Sequence, residues 1–95
     1  MKIAFDPAKN ERNIRERGLS FELAEDFDFE SAMYLEDSRK DYGETRIRAL
    51  GFIGDRVHAL VFTMRGMTLR VISLRKANRK EVTRYEKAAK PQIDR

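Results

Sequence analysis

Residues 46–74 read RIRALGFIGDRVHALVFTMRGMTLRVISL, and this stretch decides the fold. From Arg46 to Ile53 the residues alternate, with Ile47, Ala49, Gly51 and Ile53 on one side, the period of a strand. Gly54-Asp55 has the chemistry of a tight hairpin turn, since glycine tolerates positive φ. Val57 to Met64 forms the next strand, Arg65-Gly66 turns the chain again, and Met67 to Leu74 forms another. Three consecutive strands joined by short turns make an antiparallel meander.

Upstream, Lys2 to Phe5 reads as a short strand running into a helix start. Asp6 caps exposed amides, and Pro7 suits the first helical position, where its missing N–H costs nothing. That helix runs to about Arg17 and stops at Gly18, suited to a left-handed C-terminal residue. Ser20 caps a second predicted helix, from Phe21 to about Asp28, with Phe21, Leu23, Ala24 and Phe27 on its apolar face. Ser31 to Leu35 reads as a strand, followed by a polar loop from Glu36 to Gly43. Downstream, Asn78 and Glu81 stand in a capping-box relation, and the last helix continues through Val82 and Tyr85 to about Ala89, with Pro91 marking its end. The order predicts an α+β fold: a small antiparallel sheet with two N-terminal helices and one C-terminal helix gathered against it. With no repeat, low-complexity tract or linker, residues 1–95 read as a single domain with an ordered core of about 2–90.

A hydrophobic share of 41% in 95 residues supports one modest core. The absence of cysteine excludes a disulfide scaffold, a thiolate metal site and a cysteine nucleophile. The apolar run at the N-terminus is too short for a signal peptide, and no window approaches a membrane span, so a soluble, cytoplasmic protein is expected. The net charge of +4 conceals a division. Met1 to Met64 holds ten Lys/Arg against thirteen Asp/Glu, a balance of −3. From Arg65 to Lys90, nine basic residues face only Glu81 and Glu86, a balance of +7. Such asymmetry points to a polyanionic partner, nucleic acid foremost, although a merely solvated basic helix has the same composition.

The densest constellation is Arg70-Val71-Ile72-Ser73-Leu74-Arg75-Lys76-Ala77-Asn78-Arg79-Lys80-Glu81, followed one turn later by Arg84 and Tyr85. Regular strand spacing puts Ser73 and Arg75 on one face and Arg70 on the other. On the helix, Glu81 and Tyr85 share a side, as do Lys80 and Arg84. The strand end and the first helical turn therefore converge cations on a small volume, and the helix start adds free amides that favour phosphate. This suits RNA cleavage. Attack of a ribose 2′-hydroxyl on its phosphate builds negative charge on the phosphorus oxygens, which fixed guanidinium and ammonium groups stabilise. Glu81, Tyr85 or Glu44 are the candidate proton-transfer groups. No metal-ligand pattern appears, only His58 and scattered carboxylates, and no cofactor is expected.

Each residue also has a plainer role. Glu81 caps its own helix, Tyr85 packs with its hydroxyl at a rim, Arg70 pairs with a neighbouring acid, and His58 is a packed strand histidine. The stretch from Glu22 to Asp37 carries seven acids and no base. It is either a solvated face or a docking surface for a basic partner protein.

Taken in order, these elements resemble the BrnT family of type II toxin–antitoxin toxins, which share the RelE-like ribonuclease fold. The resemblance is carried by Phe5-Asp6-Pro7-Ala8-Lys9-Asn10 with Asn13, Gly18-Leu19-Ser20-Phe21 with Ala24, Glu44-Thr45-Arg46, the strand Val57 to Thr63, and Arg70 to Ala77 leading into Arg79, Glu81 and Arg84-Tyr85. It spans about residues 3–86. It implies an endoribonuclease toxin that slows translation without a metal. Its antitoxin would be ribbon-helix-helix-like, and operator DNA would be bound only through the complex. The catalytic positions expected are Arg70, Arg75, Lys76, Arg79, Glu81 and Tyr85; those expected to bind RNA are Arg65, Ser73, Lys80, Arg84 and Arg17. Family members usually carry Trp where Phe5 stands and His where Arg17 precedes Gly18. Arginine does not give up a proton at neutral pH, so at that position phosphate binding survives and proton transfer does not. Two other function classes fit the basic face: a non-catalytic nucleic-acid-binding module, and an interaction protein that only receives an antitoxin.

Overall fold

A computed structural model describes residues 2–37 and 43–89. Strand β1 (Lys2–Phe5) leads into helix α1 (Pro7–Arg17), then a 3-10 helix (Phe21–Asp26). Strands β2 (Met33–Asp37), β3 (Arg46–Ile53), β4 (Arg56–Arg65) and β5 (Thr68–Lys76) follow, and helix α2 (Arg79–Ala89) ends the described chain. The predicted stop at Pro91 and the middle of the predicted polar loop lie outside the described residues.

The five strands form one sheet in the order β1-β5-β4-β3-β2. The meander β3–β4–β5 is antiparallel as read from its alternation, with Gly54 and Gly66 at φ 63° and 60° in its two turns. The sheet as a whole is mixed rather than antiparallel, because β1 pairs in parallel with β5, Lys2 opposite Thr68 and Phe5 opposite Val71. Four residues of strand pattern carry no information about a partner more than sixty positions away, so local reading could not supply this pairing.

The helix ends obey local chemistry. Asp6 accepts from the Ala8 amide at 2.9 Å, and Gly18 adopts φ 70° to close α1. The second predicted helix is instead 3-10. Its buried positions, Phe21 and Ala24, are three apart, which matches three residues per turn, and the buried Phe27 just beyond its end keeps the spacing. Phe27 then leaves to form a bridge with Ile53.

The sheet carries a cluster on each face. One face holds Phe21, Ala24, Phe27, Ala49, Leu60, Phe62, Leu69, Val71 and Leu74, covered by the 3-10 helix. The opposite face packs Leu50, Val57, Ala59 and Tyr85 with Met33, Ala77 and Val82, beneath α2. Gly51 is required where it stands: a Cβ there would lie 2.7 Å from the Phe27 ring.

Candidate active site

One irregularity decides which arginines share a face. Val61 pairs with Ser73 but Phe62 pairs with Val71, so Ile72 is an extra residue in β5. A bulge of this kind shifts the alternation by one position. Arg70 consequently stands opposite Thr63, and Arg75 opposite Ala59, both odd-numbered positions of an unbroken β4. The expectation that Arg70 and Arg75 lie on opposite faces is therefore overturned. Both belong to the face over which α2 packs.

Strand β3 adds two more cations to it. Arg46 and Arg48 alternate with Ile47 and Ala49, which join the other core, and Arg48 stands opposite Val61. Helix α2 covers only the end of this face around Leu50, Val57 and Ala59. The remainder carries Arg46, Arg48, Arg70 and Arg75 around the buried Thr63. Arg46 and Arg48 were not among the expected site residues. Their signal was in the sequence, as the polar half of the alternation whose apolar half defined the strand.

Glu81 is the carboxylate that α2 brings to this site. It accepts from Arg75 through two bonds, 2.7 and 2.9 Å, and from the Asn78 amide at 2.9 Å. The Glu81 amide returns a bond to Asn78 Oδ1 at 2.9 Å, completing the capping box read from the sequence. The Arg75 hydrogen bonds hold the Glu81 carboxyl below its ordinary pKa against the opposing effect of burial, with help from the Asn78 amide and the nearby Arg48 charge. Glu81 is ionised at neutral pH.

The other expected residues are distributed around this centre. Arg79 and Lys80 are exposed at the start of α2, and Lys80 and Arg84 line a depression of about 360 Å³ with Asn78 and Glu81. Lys76 ends β5 opposite His58, on the alternate side from Arg75. His58 is buried, its Nδ1 2.8 Å from the Arg56 carbonyl, as the packed reading had it. Tyr85 is buried in the cluster beneath α2, edge-on to Phe52, with its hydroxyl 3.3 Å from Ser31 Oγ, and among the described residues it makes no hydrogen bond to an arginine. Glu44 lies 3.3 Å from Arg65 and 3.7 Å from Arg46. Ser73, opposite Val61, shares the parity of Arg70 and Arg75, and at the open edge of β5 its Oγ lies 3.4 Å from Arg17 Nη1. Among the described residues no cluster of three or more His, Cys, Asp or Glu forms a metal site, and no helix is long and apolar enough to cross a membrane.

Fold and site together define a small α+β protein with a cationic sheet face that holds the carboxylates of Glu81 and Glu44. A family model described as the ribonuclease toxin BrnT of type II toxin–antitoxin systems matches residues 5–81, and the chain belongs to that family. Its activity at family level is that of a ribonuclease toxin. No curated protein matches the chain.

Proposed function

We propose that this chain is an endoribonuclease of RelE-like type that cleaves single-stranded RNA without a metal, at the sheet face carrying Arg46, Arg48, Arg70 and Arg75. The observation that carries the reading is the bulge at Ile72, which puts the β5 arginines on one surface with Glu81. Arginine forks suit a phosphate that gains charge as the 2′-hydroxyl attacks, because they grip paired oxygens and keep their own charge. Glu81 is the ionised acceptor within the cluster and takes the 2′-hydroxyl proton once substrate phosphate competes for Arg75. The P–O5′ bond breaks, the leaving oxygen takes a proton from solvent and Glu81 returns its own to water, so the products are a 2′,3′-cyclic phosphate and a free 5′-hydroxyl. Arg79, Lys80 and Arg84 extend the cationic surface along α2 for neighbouring phosphates, and Arg65 borders it, while Lys76 at the end of β5 takes the other side of the sheet. Tyr85 serves the reaction by packing α2 onto the sheet.

The toxin slows translation in the cytoplasm until a cognate antitoxin covers it. The acidic run from Glu22 to Glu36 favours a basic antitoxin, of ribbon-helix-helix type, through which the complex reaches operator DNA. Expression without the neighbouring small protein arrests growth and leaves RNA fragments with 2′,3′-cyclic or 3′-phosphate ends; co-expression restores growth. Harmless expression, with RNA left intact by the purified protein in EDTA, would leave only the binding-module reading.

A further inference from the structure

A second cationic groove lies at the edge of the sheet, outside the arginine face. Strand β1 ends at Phe5 opposite Val71, so the edge of β5 beyond that point is flanked by α1 instead. Between them opens a cavity of about 250 Å³ lined by Lys9, Arg12, Asn13, Glu16, Arg17 and, on β5, Ser73. Helical spacing gathers the cations: Lys9, Asn13 and Arg17 are four apart, and Arg12 sits beside them.

The groove has a built floor. Asn13 is 6% exposed, an unusual degree of burial for a helix amide. Its Nδ2 donates to the Leu19 and Leu74 carbonyls, both at 2.9 Å, tying α1 to the following loop and to β5. Its Oδ1 is left to accept from Arg17 Nη1 at 3.1 Å. The same nitrogen approaches Ser73 Oγ at 3.4 Å and the Leu74 carbonyl at 3.5 Å. One corner of the guanidinium is thus fixed by buried groups, while among the described residues Nε and Nη2 donate to nothing. An arginine held by one nitrogen, lining a cavity with two further cations, is preorganised for an oxyanion.

We infer that the Lys9–Arg12–Arg17 groove is a second phosphate subsite, which holds the backbone of the same RNA strand one or more nucleotides away from the cleavage point. The inference rests on the ribonuclease reading for its ligand. Ser73 connects the two places, since it lines the groove and lies in β5 between Arg70 and Arg75. Asn13 acts as a positioning residue, holding Arg17 without meeting the strand. Glu16 sets the opposite sign, since its carboxylate shares the groove and repels phosphate.

The test is anisotropy of a fluorescein-labelled, 2′-O-methylated RNA oligonucleotide, which binds but cannot be cleaved, titrated over a range of salt concentrations. Lys9 and Arg12 are exposed and make no ion pair among the described residues, so Lys9→Gln and Arg12→Gln leave the fold intact. Each lowers the steepness of log affinity against log salt by about 0.7, the value for one single-strand phosphate contact. Glu16→Gln tightens binding. Salt slopes equal to wild type in both cation variants would overturn the subsite while leaving the arginine face untouched. Failure of the wild-type chain to bind the oligonucleotide would overturn the ribonuclease reading and the subsite with it. Toxicity on expression distinguishes the cases further: loss of the subsite weakens the toxin, whereas loss of the arginine face abolishes it.

Discussion

Arg75 and Glu81 hold each other through two short bonds, and that pairing governs what either can do alone. Removing the carboxylate charge with Glu81→Gln takes the charged partner from Arg75 and, on the proposed reading, the proton acceptor from the site. RNA cleavage should fall by at least about 100-fold, the usual contribution of a positioned general base, while binding of uncleavable RNA strengthens. A variant that cleaves normally would remove Glu81 from the chemistry. The same pair makes a pH prediction. The folded-state pKa of Glu81 is depressed, so its contribution to stability is present above its ordinary value of 4.5 and is lost as the pH falls through the folded value. Denaturant unfolding of wild type should therefore lose stability below that pH more steeply than Glu81→Gln. Parallel profiles would show that the pair contributes nothing to folding.

Among the elements, the capping box and the bulge teach opposite lessons about what a sequence reveals. Asn78 and Glu81 were legible because both partners lie within one turn and their chemistry is local. Asn78→Ala should cost about 1 kcal/mol, measured by urea unfolding; an unchanged midpoint would mean that α2 is held by packing alone. The bulge at Ile72 was not legible, since nothing in Val71-Ile72-Ser73 distinguishes a regular strand from an irregular one. It arises from pairing with β4, and it alone transfers Arg70 to the face that carries Arg75. Regular alternation thus found the right strand and misplaced one of its arginines. Arg48 was not legible as a site residue for a different reason, because the polar half of a strand's alternation has the same pattern on a solvated face as on a binding face. Gly51 makes a further test of the elements. Phe27 is buried against it, and a methyl at 2.7 Å must displace the ring, so Gly51→Ala should destabilise by about 1–3 kcal/mol. A neutral substitution would mean that Phe27 has room to move.

At the level of the whole molecule, the division of charge seen in the sequence becomes a division of surface. The basic last third forms β5 and α2, which meet at the arginine face, while the acids at Glu22, Glu25 and Asp26 lie exposed on the 3-10 helix over the opposite side. Under the proposed reading, charge draws RNA to the arginine face and a basic antitoxin toward the acids on the opposite side. The family match over residues 5–81 accounts for ribonuclease toxicity as a class, but which side chains act is a question for this chain's own geometry. The most direct test compares cleavage of a single-stranded RNA in EDTA by wild type, Arg70→Gln and Arg48→Gln, with unfolding midpoints measured alongside. We expect wild type to leave 2′,3′-cyclic phosphate ends, and both variants to fold normally and cleave at least about 10-fold more slowly. Cleavage at the wild-type rate by folded Arg70→Gln and Arg48→Gln would contradict the assignment of the active site to this face.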